Sequence, residues 1–160
     1  MRDIAAAFRR HWSPPFSCRK GLTVTAGLTR LRVLVVEDEP LIGMVIEEAV
    51  EGLGHDVEGP VAELDLALDL ATRVPLDCAI LDINIRGGQS YPVSFALLDR
   101  GLPILLLTGY EEHTLPKRLR GQRRLPKPFT GEQLDEELRR LFARVIDCGH
   151  EVPVEQDQGD

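Results

Sequence analysis

"CAILDINIRGG", residues 78–88, begins as an apolar run of strand length and then places a carboxylate, Asp82, where the next apolar residue belongs. Gly87-Gly88 closes the stretch as a loop signal. A short continuous apolar run without polar alternation fits a strand covered on both faces, as in a parallel sheet. A carboxylate at the end of such a strand either caps a turn or belongs to a site. Which of the two holds depends on what other segments send to the same place.

On either side of this stretch, short apolar runs alternate with helical periodicity. "LRVLVV" (31–36) is a β-branched strand run, and Pro40 suits the first turn of a helix whose stripe reads Leu41, Ile42, Val45, Ile46, Ala49, Val50 and Leu53. Gly52 and Gly54 end that helix. Residues 55–61 read as a weaker strand, followed by a helix carrying Leu64, Ala67, Leu68 and Ala71. After strand 77–82 and its glycine loop, Pro92 opens a helix, 102–107 is a fourth strand and 123–126 a short fifth. Thr130 and Gln133 form a capping-box pair at the start of a last helix with Leu134, Leu138, Leu141, Phe142 and Val145 on one face.

Five strand–helix alternations predict an α/β fold: a doubly wound five-stranded parallel sheet, with helices on both faces. Right-handed crossovers bring all the strand C-termini to one edge, where open sheets of this kind bind ligands.

Composition sets the frame. The 160 residues, 43% of them hydrophobic, suffice for one domain with tails, and no apolar run is long enough for a membrane span. Residues 1–30 carry Arg2, Arg9, Arg10, Arg19, Lys20 and Arg30 against Asp3 alone, and Pro14-Pro15 interrupts any long helix. They read as a flexible basic arm rather than a secretory signal. Residues 147–160 carry Asp147, Glu151, Glu155, Asp157 and Asp160 with no Lys or Arg, the composition of a solvated acidic tail. The ends cancel, so the central domain, 31–146, holds the full net charge of −7, which argues against direct nucleic-acid binding. Three scattered cysteines (Cys18, Cys78, Cys148) make neither a metal spacing nor a disulfide framework, and the expected setting is a reducing cytoplasm.

The predicted edge collects chemistry. The first strand ends in Glu37-Asp38-Glu39, the third in Asp82 and the fourth in Thr108-Gly109, while Lys127-Pro128 follows the fifth. Carboxylates a few Å apart repel by a few kcal/mol at an effective dielectric of about 20 unless they hold a cation. Mg²⁺ suits such a group, because it takes a few carboxylate oxygens and readily adds a phosphate oxygen. With Lys127 as a compact cation and Thr108 as a hydroxyl donor, the set has the parts for phosphoryl transfer onto Asp82. Each part alone has a plainer reading: helix capping for the acidic triplet, a turn for Asp82 or Thr108-Gly109, a surface charge for Lys127. Their arrival at the ends of four different strands favours a site.

With these residues in place, segment 31–142 resembles a response-regulator receiver domain of bacterial two-component signalling, on the ordered set "VVEDEP", "ILD", "LLTGY" and "LPKPF". The resemblance implies a flavodoxin-like receiver fold with strand order 2-1-3-4-5. It implies that Asp82 accepts a phosphoryl group from a sensor histidine kinase or histidine phosphotransfer protein. It further implies Mg²⁺ on Asp38, Asp82 and the Asn84 backbone carbonyl, with Glu37 acting largely through water. Thr108 and Lys127 would contact the phosphoryl oxygens, and the Lys127–Pro128 peptide would be cis.

Several positions depart from common receivers. "DINIRGGQSYPV" lacks the usual Met-Pro after the phosphoacceptor, and Arg124 stands where an aromatic switch residue precedes the lysine. "LLTGY" puts Tyr110 two residues after Thr108 and resembles the single-domain subgroup named for Phe-Ala-Thr-Gly-Tyr, with Leu106-Leu107 in place of Phe-Ala. Residues 111–120 lack helical periodicity and include Pro116, so the fourth helix is expected to be short, mobile or partly irregular and to be ordered on phosphorylation through Thr108 and Tyr110. Lys117, Arg118, Arg120, Arg123 and Arg124 read as a solvated face ahead of a docking patch for an acidic partner.

With no output domain after the last helix, the expected action is phosphorelay, phosphate sink or phosphorylation-dependent binding of a downstream protein. Two alternatives stand beside this. One is a binding module that works without phosphorylation. The other is a Mg²⁺-dependent phosphohydrolase with an aspartyl-phosphate intermediate, against which Asn84 occupies the position of the usual acid/base Asp.

Overall fold

The computed structural model describes residues 30–109 and 115–147. The arm up to residue 29, residues 110–114 and the tail from residue 148 lie outside the described residues, and with them the expectations placed there, including Tyr110 and the first part of the fourth-helix region 111–120.

Five strands, β1 (Arg32–Val36), β2 (Asp56–Val61), β3 (Cys78–Asp82), β4 (Ile104–Thr108) and β5 (Arg123–Pro126), form one parallel sheet in the order β2-β1-β3-β4-β5. Among the described residues the α-helices are α1 (Pro40–Gly52), α2 (Leu64–Arg73), α3 (Tyr91–Asp99) and α4 (Gly131–Asp147). Successive strand side chains point to opposite faces, so each apolar run feeds two cores. Val33, Val35, Ile80, Leu105 and Leu107 pack beneath α1 and α4 with Ile46, Val50, Leu134 and Leu138. Leu34, Val36, Ala79, Leu81, Ile104 and Leu106 pack on the other face against Ala67, Ala71, Val93 and Leu97. That double burial is why β1, β3 and β4 read as unbroken apolar runs.

The capping box forms as read. Thr130 N–H donates to Gln133 Oε1 at 2.9 Å, and Gln133 N–H donates to Thr130 Oγ1 at 3.2 Å.

Three expectations need revision. In α1 the buried stripe is narrower than the sequence pattern: Ile46 and Val50 are buried, with Ile42, Ala49 and Leu53 against them, whereas Leu41 is 76% exposed and Val45 also faces solvent. Leu41 and Val45 are four residues apart and share one side of the helix, about 100° around from the Ile42–Ile46–Ala49 line that faces the sheet. The glycine loop after Asp82 contains an antiparallel ribbon pairing Asn84 with Gln89 and Ile85 with Gly88. Arg86 fastens it to the end of β2 and the start of α2, its N–H donating to Ala62 O and its carbonyl accepting from Leu64 N–H. Finally, much of the basic cluster is engaged within the fold rather than simply solvated: Arg118 pairs with Asp99, Arg120 Nε donates to the Leu115 carbonyl at 3.0 Å, and Arg123 grips Glu137.

Between β4 and β5 the regular structure among the described residues is a single 3₁₀ turn, Lys117–Leu119, whose Leu119 is buried against the α2/α3 side of the sheet. At the β1–β2 pairing the register slips between Leu34 and Val36, where Gly59 takes a φ of +114° against the Val35 carbonyl.

Candidate phosphoacceptor site

The site is assembled by strand ends. β1 stops at Val36, and Glu37 leaves it with its N–H bonded to the Val61 carbonyl of β2 at 2.9 Å. Its side chain turns inward and is 3% exposed as a residue, while Asp38 is half-buried and Glu39 exposed. Glu39 stands at the N-cap of α1 without a side-chain cap bond, so capping does not explain the acidic triplet. Asp82 closes β3, buried, and pairs in register with Leu107 of β4. Thr108 is the next residue of β4 and is fully buried. Its carbonyl accepts the Lys127 N–H at 2.7 Å, which brings the start of the β5–α4 connection to the same edge.

Lys127 draws these groups together. The Lys127–Pro128 peptide is cis, as is Gly59–Pro60. Lys127 Nζ donates to Asp82 Oδ2 and to Glu37 Oε2, each at 2.7 Å. Glu37 Oε1 also accepts the Glu39 N–H at 3.1 Å, and Asp82 Oδ1 accepts the Asn84 N–H at 3.2 Å. Burial by itself would lower the pKa of the Lys127 ammonium, but its hydrogen bonds to Asp82 and Glu37 outweigh that and raise it. Burial pushes the Glu37 carboxyl upward, helped by the Asp82 charge and opposed by the Lys127 hydrogen bond and the Glu39 amide. The lysine is therefore firmly cationic, and burial leaves the Glu37 carboxylate dependent on positive neighbours.

One oxygen each from Glu37, Asp38 and Asp82 lies within 4.8 Å of the others. The set offers carboxylate oxygens without imidazole or thiolate, the donor chemistry of a hard cation such as Mg²⁺. Beside it the Thr108 hydroxyl is buried with no hydrogen-bond partner among the described residues, an open donor at the end of the strand next to Asp82. Acidic oxygens for a cation together with an unengaged hydroxyl and an ammonium for an anion fit a cation–phosphoryl pair.

Of the residues singled out in the sequence, Glu37, Asp38, Asp82, Thr108 and Lys127 converge here. Asn84 is exposed and touches the site through its amide. Arg124 lies exposed on β5, in register with Leu106, and Tyr110 falls outside the described residues. Ser90 was not anticipated. It is buried, and its hydroxyl donates to the Asp82 carbonyl at 2.6 Å. Its only sequence signal is a serine before Tyr91-Pro92, which reads as an ordinary helix cap.

No family model matches the chain. Individual proteins do. The solution structure of SdrG from Sphingomonas melonis Fr1 is 36% identical, with a TM-score of 0.61, over 73% of this chain and 97% of SdrG. SdrG has also been solved in a BeF3-activated conformation. The Phyllosphere-induced regulator PhyR of Methylorubrum extorquens is 37% identical over 86 residues, 52% of this chain, and the matched stretch spans only 32% of that regulator. The receiver domain of the sensor histidine kinase PA1611 from Pseudomonas aeruginosa PAO1, with a magnesium ion coordinated in its active-site cleft, is 27% identical with a TM-score of 0.59 over 72% of this chain. The sheet order, the carboxylates at its C-terminal edge and a match running nearly the whole length of SdrG converge on one conclusion: this chain belongs to the response-regulator receiver domains of two-component signalling.

Proposed function

We propose that Asp82 accepts a phosphoryl group from a sensor histidine kinase or a histidine phosphotransfer protein, and that the chain acts as a phosphorelay, a phosphate sink or a phosphorylation-dependent protein-binding switch. The observation that carries this reading is the buried Thr108 hydroxyl, left without a partner beside the Asp82–Lys127 pair. A buried hydroxyl without a partner is costly, and a phosphoryl oxygen on Asp82 would satisfy it.

In the transfer, one Asp82 carboxylate oxygen bonds to phosphorus as the phosphorus–nitrogen bond of the donor phosphohistidine breaks. The electron pair remains on the imidazole nitrogen. Lys127, already on Asp82 Oδ2, supplies positive charge to the incoming phosphoryl oxygens, and Thr108 supplies a hydrogen bond. Glu37, Asp38, Asp82 and the Asn84 backbone carbonyl would hold Mg²⁺. When bound, that ion supplies further charge against the phosphoryl group. Asn84 in place of a second acidic group supports a phosphoacceptor over a turnover phosphohydrolase. "LLTGY", with Tyr110 and Arg124 as modulating positions, supports placing the chain in the Phe-Ala-Thr-Gly-Tyr subgroup. Residues 31–146 would constitute the receiver, flanked by a basic arm and an acidic tail.

Intact mass after incubation with Mg²⁺ and a small-molecule phosphodonor tests this reading on wild type and Asp82→Asn. A gain of one phosphoryl group in wild type alone supports it. No gain with small donors and with a panel of phosphorylated histidine kinases would replace it with the phosphorylation-independent binding module.

A further inference from the structure

We infer that Ser90 is a positioning residue for Asp82: its hydroxyl sets the course of the backbone through residues 82–84 and so the presentation of the carboxylates to a divalent cation. The inference rests on the phosphoacceptor reading of the site.

Ser90 stands at the N-cap of α3, where a serine side chain ordinarily accepts a hydrogen bond from an amide two or three residues on. It makes no such bond. The second residue of the helix is Pro92, which has no N–H to offer. The hydroxyl instead points back to β3 and donates to the Asp82 carbonyl at 2.6 Å.

β3 pairs with β1 only as far as Val36 with Leu81, so the Asp82 carbonyl lies beyond that ladder. Ser90 also donates its own N–H to the Ile83 carbonyl at 2.9 Å. One residue thus holds two successive carbonyls just after the carboxylate-bearing Cα. With the Asn84 amide on Asp82 Oδ1, the segment 82–84 is tied from both the main chain and the side chain.

Ser90 is itself anchored. It is fully buried, and its carbonyl accepts both the N–H of Ser94 at 3.0 Å and the Ser94 hydroxyl at 3.2 Å. A residue fixed in the first turn of a helix, reaching back to the strand end, transmits the position of that helix to Asp82. Partners one bond removed from a metal ligand commonly govern affinity by about ten- to a hundredfold, because they fix ligand orientation.

The test titrates the full chain with Mg²⁺ and reads the dissociation constant from backbone amide chemical shifts, for wild type, Ser90→Ala, Ser90→Cys and Leu97→Val. Leu97 is buried in the same helix, and its truncation lowers Tm without touching the bonds that hold residues 82–84. Ser90→Ala is expected to weaken Mg²⁺ binding about tenfold and to shift the Ile83 and Asn84 amide signals even in EDTA. Ser90→Cys, which keeps a weak donor, falls between, and Leu97→Val binds like wild type.

Equal affinity in wild type and Ser90→Ala overturns the inference, and so does equal weakening in Ser90→Ala and Leu97→Val. Should Ser90→Ala not fold, Ser90→Cys against Leu97→Val makes the same comparison. Wild type without measurable Mg²⁺ binding would remove the phosphoacceptor reading itself, so the two failures are separated by the first titration.

Discussion

Lys127 Nζ stands 2.7 Å from Asp82 Oδ2, across 45 residues of sequence, and the same ammonium reaches Glu37 at 2.7 Å. The Glu37 side chain is fully buried in this pair, whereas Lys127 keeps 21% of its side chain in solvent. Removing the cation leaves two acidic groups facing one another. Breaking a fully buried pair costs about 3–5 kcal/mol, and partial exposure reduces that to roughly 1–3 kcal/mol here. Lys127→Met is therefore expected to lower the urea midpoint in EDTA. Mg²⁺ should return more stability to the variant than it adds to wild type. Equal Mg²⁺ increments in both proteins would show that the lysine is not neutralising the cluster.

Thr108 gives the opposite sign. Its buried hydroxyl has no partner among the described residues, so Thr108→Val removes a desolvated polar group at nearly constant shape. Stability is expected to stay level or rise by up to about 1 kcal/mol. Phosphorylation of Asp82 by a small donor should slow by about tenfold, the loss of one charge-assisted hydrogen bond. A thermal melt and a phosphorylation time course decide it. A large fall in Tm would mean that the hydroxyl serves the fold.

His55 makes the fold sensitive to mild acid. Its Nδ1 accepts the Leu31 N–H at 3.3 Å, and its ring meets Phe142 edge-on with centroids 4.3 Å apart. Burial lowers its pKa from the ordinary 6.5; Asp56 and Asp77 pull the other way, and Arg30 adds to the lowering. The unfolded chain then binds the proton more readily than the folded one. The stabilising contribution is complete above about pH 6.5 and is lost as pH falls through the depressed folded value. Urea unfolding between pH 7.5 and 5.5 should show stability dropping over this window, with a shallower slope in His55→Gln. An unchanged slope would place the proton elsewhere.

Gly59 is a backbone requirement. At its φ of +114°, an added Cβ would lie 2.5 Å from the Val35 carbonyl and 2.9 Å from Val61 N, neither of which can move without parting β1 from β2. Gly59→Ala is expected to cost more than about 2 kcal/mol. Gly43→Ala meets the Pro60 ring at 3.1–3.2 Å and should cost less. Chemical denaturation that ranked the two in reverse would contradict this account.

The parts legible in the sequence are those whose physics is local or repeated. β3 and β4 show as apolar runs because both faces are covered, and the Thr130–Gln133 box is a contact over three residues. The gathering of Glu37, Asp38, Asp82, Thr108 and Lys127 follows from parallel topology alone, since each lies at or just beyond a strand C-terminus. The ribbon over Asn84 and Gln89 escaped notice because strands of two residues have no period to detect. Ser90 escaped because its partner, the Asp82 carbonyl, is a main-chain group that no residue code reports. In α1, apolarity at Leu41 and Val45 suggests burial, whereas the sheet reaches only one narrow side of that helix.

The grip of Arg123 on Glu137 ties β5 to α4. Both guanidinium donors meet the carboxylate, at 2.7 and 2.8 Å, and Arg140 holds the same carboxylate from one turn along at 2.7 Å. Lys127 sits in the short connection between these two elements, one residue past the strand and a few before the helix. Strand, connection and helix thus form a closed truss with the lysine at its apex. Such a frame has little slack. A displacement of the ammonium would therefore load β5 and α4 together, through the ion pairs that join them.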